Sequence, residues 1–234
     1  VANRFPGNPF AKIACQVMLL TGWRLAVRVG KKMPDQVRAY IAIDEARLEA
    51  FCQTYKLPYL LTSEACQTGT DRVVEAVAQL SEKPQFIINM QGDNPFCPPW
   101  FVESLITAYQ NDQQIEVATP VVKLSWQALD NLRENKKTTP FSGTCVTVND
   151  QGDALYFSKQ IIPALRKEAT LRQEMAHSPV LRQPGLYGYR YDILQKVPKL
   201  RVGYYENFEG LEQLRFLEQG IKIRCILNDY QQYE

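Results

Sequence analysis

The apolar run Phe86-Ile87-Ile88-Asn89-Met90 stops abruptly on Gln91-Gly92-Asp93, with Asn94-Pro95 behind it. Its apolar residues are nearly continuous rather than alternating, which suits a strand covered on both faces, as in a parallel α/β sheet. Gly92 allows a close backbone approach, and Pro95 ends the ladder. Ligands of open parallel sheets gather beyond the carboxyl ends of the strands, so Asp93 stands where a phosphate-bound Mg²⁺ could be held. On the tripeptide alone it also reads as a solvated turn residue.

The preceding segments set up the same kind of sheet. Tyr40 to Asp44 is a short apolar strand ending on an acid, and Ala46, Leu48, Phe51 and Cys52 give a helix over 45–55 its apolar stripe. Leu57 to Leu61 reads as another strand. Thr68-Gly69-Thr70-Asp71-Arg72 is a loop opening a helix, with Thr70 or Asp71 as its cap and Val73, Val74, Val77 and Leu80 on one face. Strand, helix, strand, loop, helix, strand is the rhythm of a doubly wound, mostly parallel sheet. Further on, strands are predicted over 115–122 and 145–148, the latter joined to 154–157 by the turn Asn149-Asp150-Gln151-Gly152-Asp153. Residues 162–184 are polar and proline-bearing and are expected to form a mobile loop with a short helix. Strands follow over 186–189 and 221–227. Between them a helix over 207–218 turns Phe208, Leu211, Leu214 and Leu217 to the core and closes on Gly220.

A chain of 234 residues accommodates a main domain with a smaller excursion. Its net charge of +2 implies neither nucleic acid nor an anionic membrane as a partner. Lys31-Lys32 and Lys136-Lys137 read as solvated faces. No apolar run approaches the roughly 20 residues that span a bilayer, and no charged-then-apolar leader opens the chain, so a cytoplasmic location is expected. The six cysteines are scattered without a Cys-x-x-Cys pair, and His177 is the single histidine. Zinc binding and nucleophilic catalysis by a Cys-His or Ser-His pair are therefore not expected, and His177 reads as an ordinary loop residue.

Six ordered motifs carry a resemblance that covers almost the whole chain: Arg4-Phe5-Pro6-Gly7-Asn8-Pro9-Phe10, Thr68 to Arg72, Gln91 to Pro95, Ala154-Leu155-Tyr156-Phe157-Ser158-Lys159, Gly185-Leu186-Tyr187-Gly188-Tyr189-Arg190 and Leu211-Glu212-Gln213-Leu214-Arg215. In order and spacing they resemble the 3-deoxy-manno-octulosonate cytidylyltransferases, which activate the acidic sugar Kdo for bacterial lipopolysaccharide or capsule synthesis. The resemblance implies a Rossmann-like nucleotidyltransferase and attack by the anomeric hydroxyl of Kdo on the α-phosphorus of CTP, releasing pyrophosphate. Mg²⁺ held by Asp93 would offset the charge on the phosphates, and positioning plus electrostatics suffice, so no histidine base is required. The resemblance assigns Arg4, Gly7 and Asn8 to the triphosphate loop, and Gly69, Thr70 and Arg72 to the nucleotide side. By spacing alone Arg72 reads equally as a surface helix residue. Gln91, Lys159, Tyr187, Glu212 and Gln213 are implied for the sugar, its carboxylate and its hydroxyls. Without the resemblance, Glu212 and Gln213 read as an exposed helix pair. A homodimer is implied through a small excursion over 125–202, between a core over 1–124 and a return over 203–234.

Several positions depart from the family pattern. Lys159 stands where arginine is more frequent, replacing a two-pronged carboxylate grip with a point charge. Asn8 stands in place of a lysine, and Gln183-Pro184-Gly185 in place of a histidine-bearing segment. Val1 already lies inside the phosphate loop, and Asp229 follows the last strand too soon to act as a second metal carboxylate. The expectation is a sequence lacking its first strand and final segment, or another segment filling the gap. Beside the cytidylyltransferase two readings stay open: a catalytically impaired homologue that binds without turnover, and an enzyme for another acidic sugar such as 8-amino Kdo or sialic acid.

Overall fold

The computed structural model describes residues 12–13, 16–17, 23, 26–27, 29–30, 37–91 and 97–229. Arg4, Gly7, Asn8 and Asp93, together with Lys31-Lys32, lie outside them. The chain divides into two compact units, one from the described residues of Val1–Glu103 with Tyr189–Pro198, the other from Ser104–Gly188 with Lys199–Glu234.

In the first unit β1 (Lys12–Ile13) and β2 (Gln16–Val17) form an antiparallel pair. β3 (Ile41–Ile43) and β4 (Tyr59–Leu61) run parallel, joined through the helix Ala46–Thr54. Ile43, Leu48, Cys52 and Leu57 form the buried cluster between them, with Trp23, Ile41, Phe51 and Tyr59 packed around it. The next helix, Gly69–Ala78, starts earlier than the sequence predicts: Thr68 is its cap, accepting from the Asp71 N–H (3.0 Å), while the Asp71 carboxylate accepts from the Thr68 N–H (3.0 Å). This reciprocal box satisfies two backbone donors that the helix itself cannot. β5 (Phe86–Asn89) then alternates half-buried with buried residues, so neither face is open, as its composition requires. β10 (Tyr187–Arg190) leads into the short helix Tyr191–Leu194, whose first N–H bonds the Gln85 carbonyl (3.0 Å).

In the second unit the strand order is β11-β6-β9-β7-β8, built from β6 (Val117–Ser125), β7 (Thr144–Val148), β8 (Ala154–Ser158), β9 (His177–Gln183) and β11 (Ile223–Asn228). Only β11 with β6 is parallel; β6–β9, β9–β7 and β7–β8 are antiparallel. The expectation of a mostly parallel, doubly wound sheet is corrected here. After β7 the chain returns through a tight hairpin, in which Asn149 Oδ1 accepts from the Gln151 and Asp153 N–H groups and Gly152 takes a φ of +81°. A turn this short permits only antiparallel pairing.

Three further expectations are corrected. Residues 162–184 contain the helix Glu168–Glu174 and the strand β9, so His177 opens a strand. Pro179 is tolerated there because the β6–β9 register shifts between Lys123 and Ser125, where a missing N–H costs no regular ladder bond. The predicted helix over 207–218 is two helices, Tyr204–Glu209 and Gln213–Glu218, broken where Gly210 adopts a φ of +62°. The break resets the helical phase, so Phe208 is 73% exposed and Phe216 takes the buried place. Finally, Lys136 is no solvated residue but half-buried. Among the described residues no helix is long and apolar enough to cross a membrane.

Candidate active site

β3 and β4 run parallel in register, Ile43 opposite Leu61, so the residues leaving their carboxyl ends, Asp44 and Thr62, stand side by side. Thr62 is buried, and its hydroxyl donates to the Ile43 carbonyl (2.9 Å). One turn into the capped helix, Arg72 reaches back to both. Its Nη1 donates to Thr62 Oγ1 (2.6 Å), and its Nη2 to Asp44 Oδ2 (2.5 Å). The pair is three-quarters shielded, at 21% and 25% side-chain exposure, so the contact is stronger than a surface ion pair. Gly69 and buried Thr70 form the first turn of the same helix. The three residues expected on the nucleotide side are thus brought together, with the Arg72 charge shared with Asp44. Gln91, half-buried, follows two residues after β5.

The second unit carries the other expected residues. Lys159 follows the last residue of β8 and its Nζ lies 3.5 Å from Thr144 Oγ1. Gln213 is buried, at 5% exposure, in the first turn of its helix, and Glu212 is the half-buried residue before it. Tyr187 opens β10. It follows a buried polar chain in which Gln183 Nε2 donates to Thr119 Oγ1 (2.8 Å) and the Thr119 hydroxyl donates to the Leu186 carbonyl (2.7 Å). Gln183 is therefore satisfied inside the sheet.

Sequence reasoning missed three groups that organise these residues. Asp44 was visible as the acid ending a strand, but its pairing with Arg72 was not. Glu209 accepts from Ser158 Oγ (2.6 Å) and from the Lys159 N–H (2.6 Å), with the Tyr156 hydroxyl at 3.5 Å. Burial first, then the Glu209 charge and hydrogen bond, push the Tyr156 phenol above its ordinary range. Lys136 donates to the carbonyls of Lys159 (2.6 Å) and Ser142, with those of Pro140 (3.4 Å) and Gly143 (3.5 Å) also in reach, and burial holds its amine below the usual range. Among the described residues no group of three or more His, Cys, Asp or Glu is placed to hold a metal ion.

Comparison with known proteins bears on what this arrangement serves. A cytidylyltransferase family model matches residues 3–223. The chain is 37% identical over 229 residues, 98% of its length and 85% of the relative's, to a 3-deoxy-manno-octulosonate cytidylyltransferase of Maricaulis maris. The chain belongs to the 3-deoxy-manno-octulosonate cytidylyltransferase family. A relative of the same name from Myxococcus xanthus is 35% identical over 96% of the chain and 82% of its own length. Among solved structures, a CMP:2-keto-3-deoxy-manno-octonic acid synthetase complexed with CTP superposes with a TM-score of 0.80 at 31% identity, covering 96% of this chain and 84% of that one. The family's α/β nucleotidyltransferase fold is thereby shared. A 4-diphosphocytidyl-2C-methyl-D-erythritol synthase from Anaerococcus prevotii shares the fold alone, with a TM-score of 0.53 at 12% identity.

Proposed function

We infer that this cytidylyltransferase converts CTP and Kdo to CMP-Kdo and pyrophosphate, the anomeric hydroxyl of Kdo attacking the α-phosphorus of CTP. The observation that carries the reading is the 37% identity to a named Kdo cytidylyltransferase over 98% of the chain. Two anionic substrates must meet, so the reaction asks for cations and fixed dipoles more than for a base. In this reading Arg4, Gly7, Asn8, Gly69, Thr70 and Arg72 serve the nucleotide, with Arg4 and Asp93 closest to the chemistry. Arg72 shares its charge with Asp44, so its pull on phosphate is weaker than that of an arginine paired with phosphate alone. Gln91, Lys159, Tyr187, Glu212 and Gln213 serve the sugar.

Mg²⁺ belongs to the same reading. It binds through phosphate oxygens and one or two carboxylates rather than an all-protein cage, and Asp93 is the carboxylate proposed. When bound it supplies charge neutralisation on the phosphates and the leaving pyrophosphate. A cytoplasmic place in lipopolysaccharide or capsule synthesis fits five described cysteines with free thiols. The 125–202 segment is the proposed dimerisation excursion.

The test is pyrophosphate release from CTP plus Kdo with Mg²⁺. Release that stops with a chelator and returns with added Mg²⁺ is expected. No release above background from the full-length protein, with 8-amino Kdo and sialic acid also tried, would refute the enzyme reading.

A further inference from the structure

Two ionised side chains from distant elements hold the main chain of Lys159 from both sides. Its N–H donates to Glu209 Oε2 (2.6 Å), and its carbonyl accepts from Lys136 Nζ (2.6 Å). Glu209 also takes the hydroxyl of buried Ser158 (2.6 Å), and that hydroxyl in turn accepts from the Gln160 N–H (2.9 Å). Ser158, the last residue of β8 and paired with Cys145, and the two residues that leave the strand are therefore pinned, Lys159 and Gln160 beyond the reach of the sheet ladder. Charge-assisted bonds of this kind are shorter and about twice as strong as neutral ones. On the other side, Lys136 gathers the carbonyls of Ser142 and Lys159 onto one ammonium, with Gly143 O at 3.5 Å, tying the loop before β7 to the loop after β8.

Glu209 also stands at a junction. It ends the helix Tyr204–Glu209, Gly210 turns the chain with a φ of +62°, and Glu212 and Gln213 follow. The carboxylate that fixes Lys159 is thus set three residues before Glu212. We propose that Glu209 and Lys136 are positioning residues that set the Lys159 backbone, so that its side chain meets the acidic sugar in a fixed place. This rests on Lys159 meeting the sugar, as inferred above. Neither residue touches substrate in this scheme; each acts through Lys159. A flexible lysine needs such support more than an arginine does, because its single ammonium brings no fixed fork geometry of its own.

Steady-state kinetics of Glu209→Gln, Lys136→Met and Lys159→Ala, with the double variant Glu209→Gln/Lys159→Ala, test the proposal. Glu209→Gln keeps one acceptor oxygen but offers an N–H₂ where the second N–H or hydroxyl must be accepted. The KM for Kdo is expected to rise about tenfold or more, with the KM for CTP within about twofold of the parent, since a misplacement near 1 Å far from the chemistry can cost up to 10²-fold. The double variant should be no worse than Lys159→Ala alone. Additive losses in the double variant, or an equal rise in both KM values, would overturn the proposal. Should Glu209→Gln fail to fold, Lys136→Met and Ser158→Ala decide it, by the same split or its absence. If Lys159→Ala itself leaves the KM for Kdo unchanged, the sugar assignment fails first, and the clamp falls with it.

Discussion

Removing the Glu206 carboxylate tests one of the contacts that hold the two halves of the broken 204–218 segment together, beside the Glu218 carboxylate that accepts from the Tyr204 (2.6 Å) and Tyr205 (2.8 Å) N–H groups. Arg215 Nε donates to Glu206 Oε2 (2.8 Å) and Nη2 to Oε1 (2.5 Å), while the Gly203 N–H donates to Oε2 (2.9 Å). The side chains are only 13% and 12% exposed. Burial alone would raise the Glu206 carboxyl, but the hydrogen bonds from Arg215 and Gly203 and the Arg215 charge hold it below its ordinary value. Breaking a buried pair from one side costs about 3–5 kcal/mol, and each hydrogen bond to a charged group accounts for about 1.5–3. Glu206 keeps some contact with water, so Glu206→Ala is expected at the low end, about 3 kcal/mol. With a urea m-value of about 3 kcal/mol/M for a chain of this size, the midpoint falls by about 1 M. Arg215→Met and the double variant complete the cycle, read by urea melts followed by circular dichroism. Replacing both partners removes the Arg215 charge together with its Glu206 contact, so the double variant is expected to lose less than the sum of the two single variants, a coupling of about 2 kcal/mol or more. A loss below about 1 kcal/mol, or strict additivity, refutes the reasoning. Because the folded carboxyl is depressed, the coupling is complete above the unfolded carboxyl range and fades as pH falls through the folded value.

Glu168 gives a second pH signature: hydrogen bonds from Arg133 and then Arg172 pull its carboxyl down to about 2 from 4.5. Its stabilisation is present above 4.5 and lost on acidification toward 2, so Glu168→Gln should flatten the pH dependence of urea midpoints in that window. Gly210→Ala meets nothing within 4 Å, yet its φ of +62° makes any side chain unfavourable, and a loss of about 1–2 kcal/mol is expected in thermal melts. Arg72→Ala should raise the KM for CTP about tenfold while leaving that for Kdo unchanged, with about 1.5–3 kcal/mol lost from the Asp44 contact; an unchanged KM for CTP would remove Arg72 from the nucleotide side.

Short apolar segments bounded by turn residues were legible because their period and their punctuation are local. β3, β4, β5, the β7–β8 hairpin and β11 all fall where the sequence predicts strands. β9 was not legible. Its residues His177-Ser178-Pro179 carry no strand signature, and it exists because β6 and β7 supply backbone partners on both sides. The helix Trp126–Thr138 escaped for a related reason: it is mostly polar, with Leu129 and Leu132 its buried residues, and it gains its place from the cluster with Leu124, Cys145 and Val180, against which Trp126 and Ala128 also pack. Gly210 was visible as a glycine, but whether it would bend or merely occupy a helix depended on what the flanking turns could bury.

The candidate site divides along the same line. Which residue types stand in the six motifs, and hence the family, the sequence by itself determined, since order and spacing along the chain are enough to carry a resemblance. What those residues are held by, only the tertiary structure decided. Arg72 meets Asp44 across 28 residues, and Lys159 meets Glu209 across 50. A hydrogen bond of 2.6 Å depends on where two backbones pass in space, and no periodicity along one segment encodes the approach of another.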